Sequence, residues 1–251
     1  MEKVNAIVLA GTPNRRNKLI DEYDGQGPKN KALVTQITGK PLILGVLDCI
    51  RNSNYINQEN LTIIGPRPKL RQIINDDNIL ILPEKKRLID NVKTAYDEIS
   101  MDGERTLFLT CDMPYLNEKT PKAIDDFVKE CNKYNANFYL GIINVKHIPK
   151  EIEDLKKPIP RHLKNKGDYR TINMHLFEGS KIENRGLLEN QIEKVFEKRR
   201  TVSFWTKVKF GASLSKFWWQ IIKYCTIGLT KEDIESAVKK KFGLPFKLIE
   251  T

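Results

Sequence analysis

Leu9-Ala10-Gly11-Thr12 closes an apolar run that begins at Val4, and the cations Arg15, Arg16 and Lys31 follow it. Such a run suits a strand buried on both faces, as in a parallel sheet. In open parallel sheets, ligands sit beyond the carboxyl ends of the strands. A glycine there lets the backbone come close to a phosphate, and the N–H groups of the turn point at anionic oxygens. Arginine and lysine on the following loop can clamp phosphates and stabilise the charge that develops as a phosphoryl group transfers. Taken alone, strand-then-glycine also describes an ordinary βα turn.

A second group narrows the choice. Asp112 sits in Thr110-Cys111-Asp112-Met113-Pro114, just past the apolar stretch 106–110. A parallel sheet brings it to the same edge as Gly11. Magnesium prefers oxygen ligands and often takes one or two carboxylates plus substrate phosphates. Asp112 can supply one of them. By itself it is also a common turn aspartate before proline; the two groups together point to a nucleotide site.

These residues meet only if the chain between them alternates strands with helices. Residues 4–10, 61–64, 79–82, 106–110 and 138–143 are apolar runs bounded by glycine, proline or polar residues, which marks them as strands. Stretches 41–50, 68–76, 90–99 and 119–132 read as helices. The first carries Leu42, Val46, Leu47 and Ile50 on one face after Pro41, and the last carries Ile124, Phe127, Val128 and Cys131. This alternation predicts an α/β fold, a three-layer α/β/α Rossmann-like arrangement on a mostly parallel sheet. Residues 12–30 form a long polar loop of a length that is usually functional or mobile.

After residue 145 the rhythm changes. Residues 146–168 are rich in lysine and proline, 169–177 alternate like a strand, and 186–225 read as mostly helical. Thr230-Lys231-Glu232-Asp233 reads as a helix start. That helix stops at Gly243, and 244–249 form a last strand. The sequence predicts one domain over 1–251, with a core at 1–145, a C-terminal helical elaboration on the acceptor side at 146–229, and a return to the core at 230–251.

Asn5-Ala6-Ile7-Val8-Leu9-Ala10-Gly11, Lys31-Ala32-Leu33-Val34 and Gly39-Lys40-Pro41-Leu42-Ile43 resemble the opening of MobA-like NTP transferases. That family is similar to molybdenum-cofactor guanylyltransferase and to sugar-phosphate nucleotidyltransferases. The resemblance is specific over about residues 4–116, and 229–251 also look like the late helix and strand of such proteins. It implies a GT-A-like core that joins an NTP to a phosphorylated acceptor, a sugar-, alcohol- or pterin-phosphate, and releases pyrophosphate. It implies Mg2+ as cofactor and Asp112 as its ligand. Leu88-Ile89-Asp90-Asn91-Val92 resembles the segment that approaches the nucleotide, which makes Asn91 a candidate base or ribose contact. Two departures stand out. The path from Gly11 to an arginine lacks a second glycine, which leaves Arg15 and Arg16 both as candidates. The family usually has a second metal-binding aspartate in a D-x-D-x-P-like segment after the final strand, and the sequence runs to Thr251 without one. A catalytically silent nucleotide-binding module is therefore the alternative. A GT-A glycosyltransferase is disfavoured, because Asp112 stands alone rather than in a D-x-D pair.

Composition agrees with an anionic substrate. Forty-three Lys and Arg against 32 Asp and Glu give a formal net charge of +11 over 251 residues, an excess that favours nucleotide, nucleic acid or acidic membrane as partner. Arg161 and Arg170 are the candidate acceptor contacts, in a stretch that also holds Lys164 and Lys166. Four scattered cysteines and three histidines form no CxxC or zinc pattern. The absence of a signal peptide and of long apolar runs predicts a cytoplasmic protein. Residues 198–224 interleave Trp205, Phe210, Phe217, Trp218 and Trp219 with lysines and arginines. That pattern reads first as a helix packed by its aromatic face, and second as a peripheral contact with an anionic membrane. No nucleic-acid partner is expected.

Overall fold

The computed structural model describes residues 3–12, 30–35, 39–99, 104–113, 116, 120, 122–148, 161–163, 167–178 and 230–251. The apolar run at the start of the chain becomes β1 (Val4–Leu9), flanked in parallel by β2 (Ile56–Gly65) and β4 (Arg105–Thr110). β3 (Leu80–Pro83) extends the sheet beyond β2, also in parallel. On the far side of β4 lies β7 (Gly167–Glu178), antiparallel to it and to the next strand, β5 (Phe138–Asn144). β8 (Phe246–Glu250) then pairs in parallel with β5. The order is β3-β2-β1-β4-β7-β5-β8, and the short β6 (Arg161–Leu163) pairs with β7. Among these strands β7 alone opposes the common direction. The carboxyl ends of β1 to β4, β5 and β8 and the amino end of β7 therefore share one edge.

Helices cover both faces, giving the three layers expected. α1 (Leu42–Arg51) and α4 (Ala123–Cys131) pack on one face, where Ile43, Val46, Leu47, Ile50, Phe127 and Val128 join Ala6, Val8 and Leu109 in the main core. α3 (Leu88–Ile99) covers the other face through Ala95 and Tyr96 against Ile7, Ile64 and Phe108. On that same face α5 (Lys231–Phe242) packs through Ile234 and Val238 on Phe246 and Leu248. A row of rings joins the two halves: Tyr96 to Phe177, Phe177 to Phe138, and Phe138 to Phe246, with centroids 5.7, 6.1 and 5.7 Å apart.

Several expected boundaries move for physical reasons. β2 starts at Ile56 rather than at 61, and the register with β1 slips between Val4 and Ala6 to absorb the polar residues before Leu61. The helix expected at 68–76 is the short α2 (Arg67–Arg71), because asparagine and aspartate crowd positions 75–78 and favour turns. The last strand begins at Phe246 rather than at 244. Pro245 has no N–H to give a ladder, and its carbonyl instead accepts the N–H groups of Asn137 and Phe138.

The start of α5 follows its sequence signal closely. The Thr230 side chain accepts from the Asp233 N–H at 3.1 Å and the Asp233 carboxylate accepts from the Thr230 N–H at 2.9 Å. Gly243 ends the helix with φ of 70°, a conformation that costs glycine little. The helical reading of 186–225, with the basic aromatic stretch 198–224, lies outside the described residues. Among the described residues no helix is long and apolar enough to cross a membrane.

Candidate active site

β1 and β4 continue their ladder one step past Leu9, where the Cys111 N–H donates to the Leu9 carbonyl at 3.1 Å. This step sets Gly11 and Asp112 side by side on the carboxyl edge. Leu9 packs toward the α3 face, and Ala10 is fully buried. At Gly11 a Cβ would lie 3.3 Å from Asn91 Nδ2 and 3.4 Å from Glu84 Oε2. The missing side chain is what lets the β3–α3 segment close on this turn.

Thr12 follows with two donors used on one partner. Its N–H donates to Glu84 Oε2, and its hydroxyl lies 2.9 Å from Glu84 Oε1. Asn91 faces the same turn from the first turn of α3. Its side chain is buried, accepts the Lys85 N–H through Oδ1, and has Nδ2 3.4 Å from the Lys85 carbonyl. It thereby fixes the backbone just after Glu84.

Lys31 opens a short 3-10 turn, Lys31–Leu33, capped by the side chain of Asn30. Lys31 Nζ forms an ion pair with Asp112 Oδ2, the two side chains being 27% and 16% exposed. The other Asp112 oxygen accepts the Thr110 hydroxyl at 2.6 Å. A cation and a carboxylate read separately in the sequence are thus brought together, half-buried, beside Gly11. Among the described residues no group of three or more His, Cys, Asp or Glu is placed to hold a metal ion. Asp112 is nonetheless of the right type for magnesium, which takes few protein carboxylates when phosphates complete its shell.

The neighbouring thiol is chemically quiet. Cys111 is buried, and burial first, then the negative charge of Asp112, pushes its thiol well above the usual range. Burial also raises Cys49, and it pushes Cys131 up to about 12. These three cysteines form no disulfide among the described residues, and as neutral thiols they are poor nucleophiles.

The acceptor candidates fall further along the same edge. Arg170 stands near the amino end of β7, opposite Ile143 of β5, and its buried Nε has no hydrogen-bond partner among the described residues. Arg161 pairs through its backbone with Tyr169. Arg15 and Arg16 lie outside the described residues. None of the sequence candidates lines the cleft elsewhere in the fold formed by Glu130, Tyr134, Lys231, Glu235 and Lys247.

Two residues at the site escaped the sequence reading. Glu84 follows β3 directly, so the logic that singled out Asp112 after β4 also applies to it. Asn30 had a weaker signal, a capping residue type just before a helical turn.

Comparison with known proteins points the same way. The family model of the MobA-like NTP transferase domain matches residues 6–138, just over half of the chain. No curated protein sequence matches. Among solved structures, one titled a hypothetical transferase from Thermus thermophilus aligns with a TM-score of 0.70 at 21% identity, covering 99% of this chain and 93% of that one. CMP:2-keto-3-deoxy-manno-octonic acid synthetase complexed with CTP aligns at 0.53 and 11% identity, over 100% and 90% of the two chains. The 4-diphosphocytidyl-2C-methyl-D-erythritol synthase of Anaerococcus prevotii aligns at 0.51 and 10%, over 99% and 87%. At these identities the likeness is one of fold.

Proposed function

This chain belongs to the MobA-like NTP transferase family, and on that premise we propose that it transfers a nucleotidyl group from an NTP to a phosphorylated small-molecule acceptor. An acceptor phosphate oxygen attacks the α-phosphorus in line. The new P–O bond forms as the bond to the β-phosphate breaks, and pyrophosphate leaves. No general base is required, because a phosphate acceptor is already an anionic nucleophile.

The observation that carries this reading is the meeting of Lys31 and Asp112 beside the Gly11 turn. Lys31, with Arg15 or Arg16, neutralises charge on the phosphates. Leu9, Ala10, Gly11 and Thr12 give the backbone against which the nucleotide lies, and Asn91 holds that wall closed. Asp112 would hold Mg2+, which when bound supplies Lewis-acid charge neutralisation at the phosphate oxygens. Arg170, with a guanidinium nitrogen not yet engaged by the described residues, and Arg161 receive the acceptor phosphate. Buried cysteines that form no disulfide among the described residues fit a reducing compartment, so the cytoplasm is the proposed location.

The test is pyrophosphate release measured for each of the common NTPs against a panel of sugar-, alcohol- and pterin-phosphates with magnesium. One NTP paired with one acceptor class should release pyrophosphate. NTP binding without release across the whole panel would instead support a silent nucleotide-binding module.

A further inference from the structure

Asn30 is fully buried, and its amide bridges three groups. Nδ2 donates to the Ala10 carbonyl at 3.0 Å and to Thr12 Oγ1 at 3.0 Å, while Oδ1 accepts the Ala32 N–H at 2.8 Å. The Ala10 carbonyl can only accept and the Ala32 N–H can only donate. The two ends of the amide therefore cannot be exchanged, and its nitrogen is the atom that faces Thr12. The Thr12 hydroxyl has a single proton and already receives one from Asn30. That proton goes to the acceptor on its other side, Glu84 Oε1 at 2.9 Å. The Thr12 N–H donates to the second oxygen of the same carboxylate. Two donors of one residue thus converge outward on an oxyanion.

We propose that Asn30 is a positioning residue that fixes the Thr12 hydroxyl as a donor to a phosphate oxygen of the NTP, with the Glu84 carboxylate holding the two Thr12 donors until that oxygen replaces it. The inference rests on the nucleotidyltransferase reading of the site. The same amide caps the turn that carries Lys31. One buried side chain therefore registers the glycine turn against the phosphate-binding lysine.

The experiment is a double-mutant cycle on the affinity for magnesium tripolyphosphate, a probe with no base or ribose, measured by titration calorimetry. Asn30→Asp keeps the shape of the side chain but replaces the donor with an acceptor, which turns the Thr12 proton inward. Thr12→Val removes the hydroxyl. A hydrogen bond to a charged group corresponds to a loss of roughly tenfold or more in affinity. Asn30→Asp should therefore weaken binding about tenfold more with Thr12 present than in the Thr12→Val background. An equal loss in both backgrounds, or a change within about twofold of wild type, overturns the proposal, since a purely structural or charge effect does not depend on the hydroxyl. If Asn30→Asp lacks a cooperative melt, Asn30→Ala takes its place in the cycle. It removes the donor without adding an inward acceptor, so a smaller coupling of the same sign is expected, and equal losses in both backgrounds overturn the proposal. Wild-type protein that fails to bind magnesium tripolyphosphate overturns the nucleotidyltransferase reading together with this one. Wild-type binding without coupling overturns this one alone.

Discussion

Lys31 and Asp112, 81 residues apart in sequence, close an ion pair across the carboxyl edge of the sheet, and Thr110 holds the remaining Asp112 oxygen. The pair keeps a cation and an anion ready in one place without leaving either charge alone in a half-buried site. On the proposed reading, a magnesium-bound triphosphate would offer each of them a new partner, the phosphate oxygens for Lys31 and the metal for Asp112. Nucleotide binding would then require an exchange of partners rather than the burial of a new unpaired charge.

The first prediction concerns this exchange. Lys31→Ala should lower turnover by about 100- to 1000-fold, the usual cost of removing one charge-stabilising donor from a reaction site. Asp112→Asn should abolish the dependence of NTP affinity on magnesium while leaving metal-free binding close to wild type. Calorimetric titrations with and without magnesium, beside steady-state pyrophosphate release, check both. An Asp112→Asn protein that still binds more tightly with magnesium would remove Asp112 from the metal site.

Gly11 gives a second prediction. A methyl at this position meets Asn91 Nδ2 at 3.3 Å, and Asn91 is held by the backbone of Lys85 and has little freedom to retreat. Gly11→Ala should destabilise the fold by about 1–3 kcal/mol, the range for overpacking, and should raise the KM for NTP. Thermal melts and kinetics test the two effects separately. As a contrast, Phe127→Ala in the core should cost about 3–5 kcal/mol and leave the KM for NTP unchanged at a temperature where the protein is folded.

The acceptor side can be tested through Arg170. It stands near the amino end of the antiparallel strand β7, at the sheet edge that also carries Asp112. Arg170→Ala should raise the KM for the phosphorylated acceptor by roughly tenfold, the effect of losing one charge-assisted hydrogen bond, with the KM for NTP unchanged. A rise in both constants would place Arg170 with the nucleotide instead.

Alkaline stability follows from the buried thiols. The folded-state pKa values of Cys111 and Cys131 are raised, that of Cys131 to about 12, whereas an unfolded cysteine titrates near 8.5. Above that pH the unfolded chain has lost protons that the folded chain retains. Stability is therefore full below about pH 8.5 and falls as pH rises toward 12. Urea melts across this range should show the decline, and Cys131→Ala should make it shallower. A slope that the substitution leaves unchanged would assign the decline to other groups.

Much of this architecture is written locally. β1 is apolar on both faces because helices cover the sheet on both sides, and the capping box of α5 is complete within four residues. The approach of Gly11 to Asp112 was legible because the ends of β1 and β4 in such a sheet converge on one edge, whereas Lys31 reaches that edge from the turn Lys31–Leu33. β7 was not legible in the same way. Its alternation marks a strand, but nothing within it says that it enters between β4 and β5 and runs against them. Asn30 and Glu84 were missed for a related reason. Each acts on the Gly11 turn only once a loop distant in sequence has closed on it, and neither residue type announces that contact.

The central claim is that the site moves a nucleotidyl group, and the most direct measurement follows the α-phosphorus itself. NTP carrying a radiolabel at the α-phosphorus is incubated with the protein, magnesium and the phosphorylated acceptor. The account predicts that the label appears in a product diphosphate linked to the acceptor, while a label at the γ-phosphorus appears in pyrophosphate. Transfer of the γ-label to the acceptor, or an α-label that stays in a nucleoside phosphate with every acceptor, would contradict it.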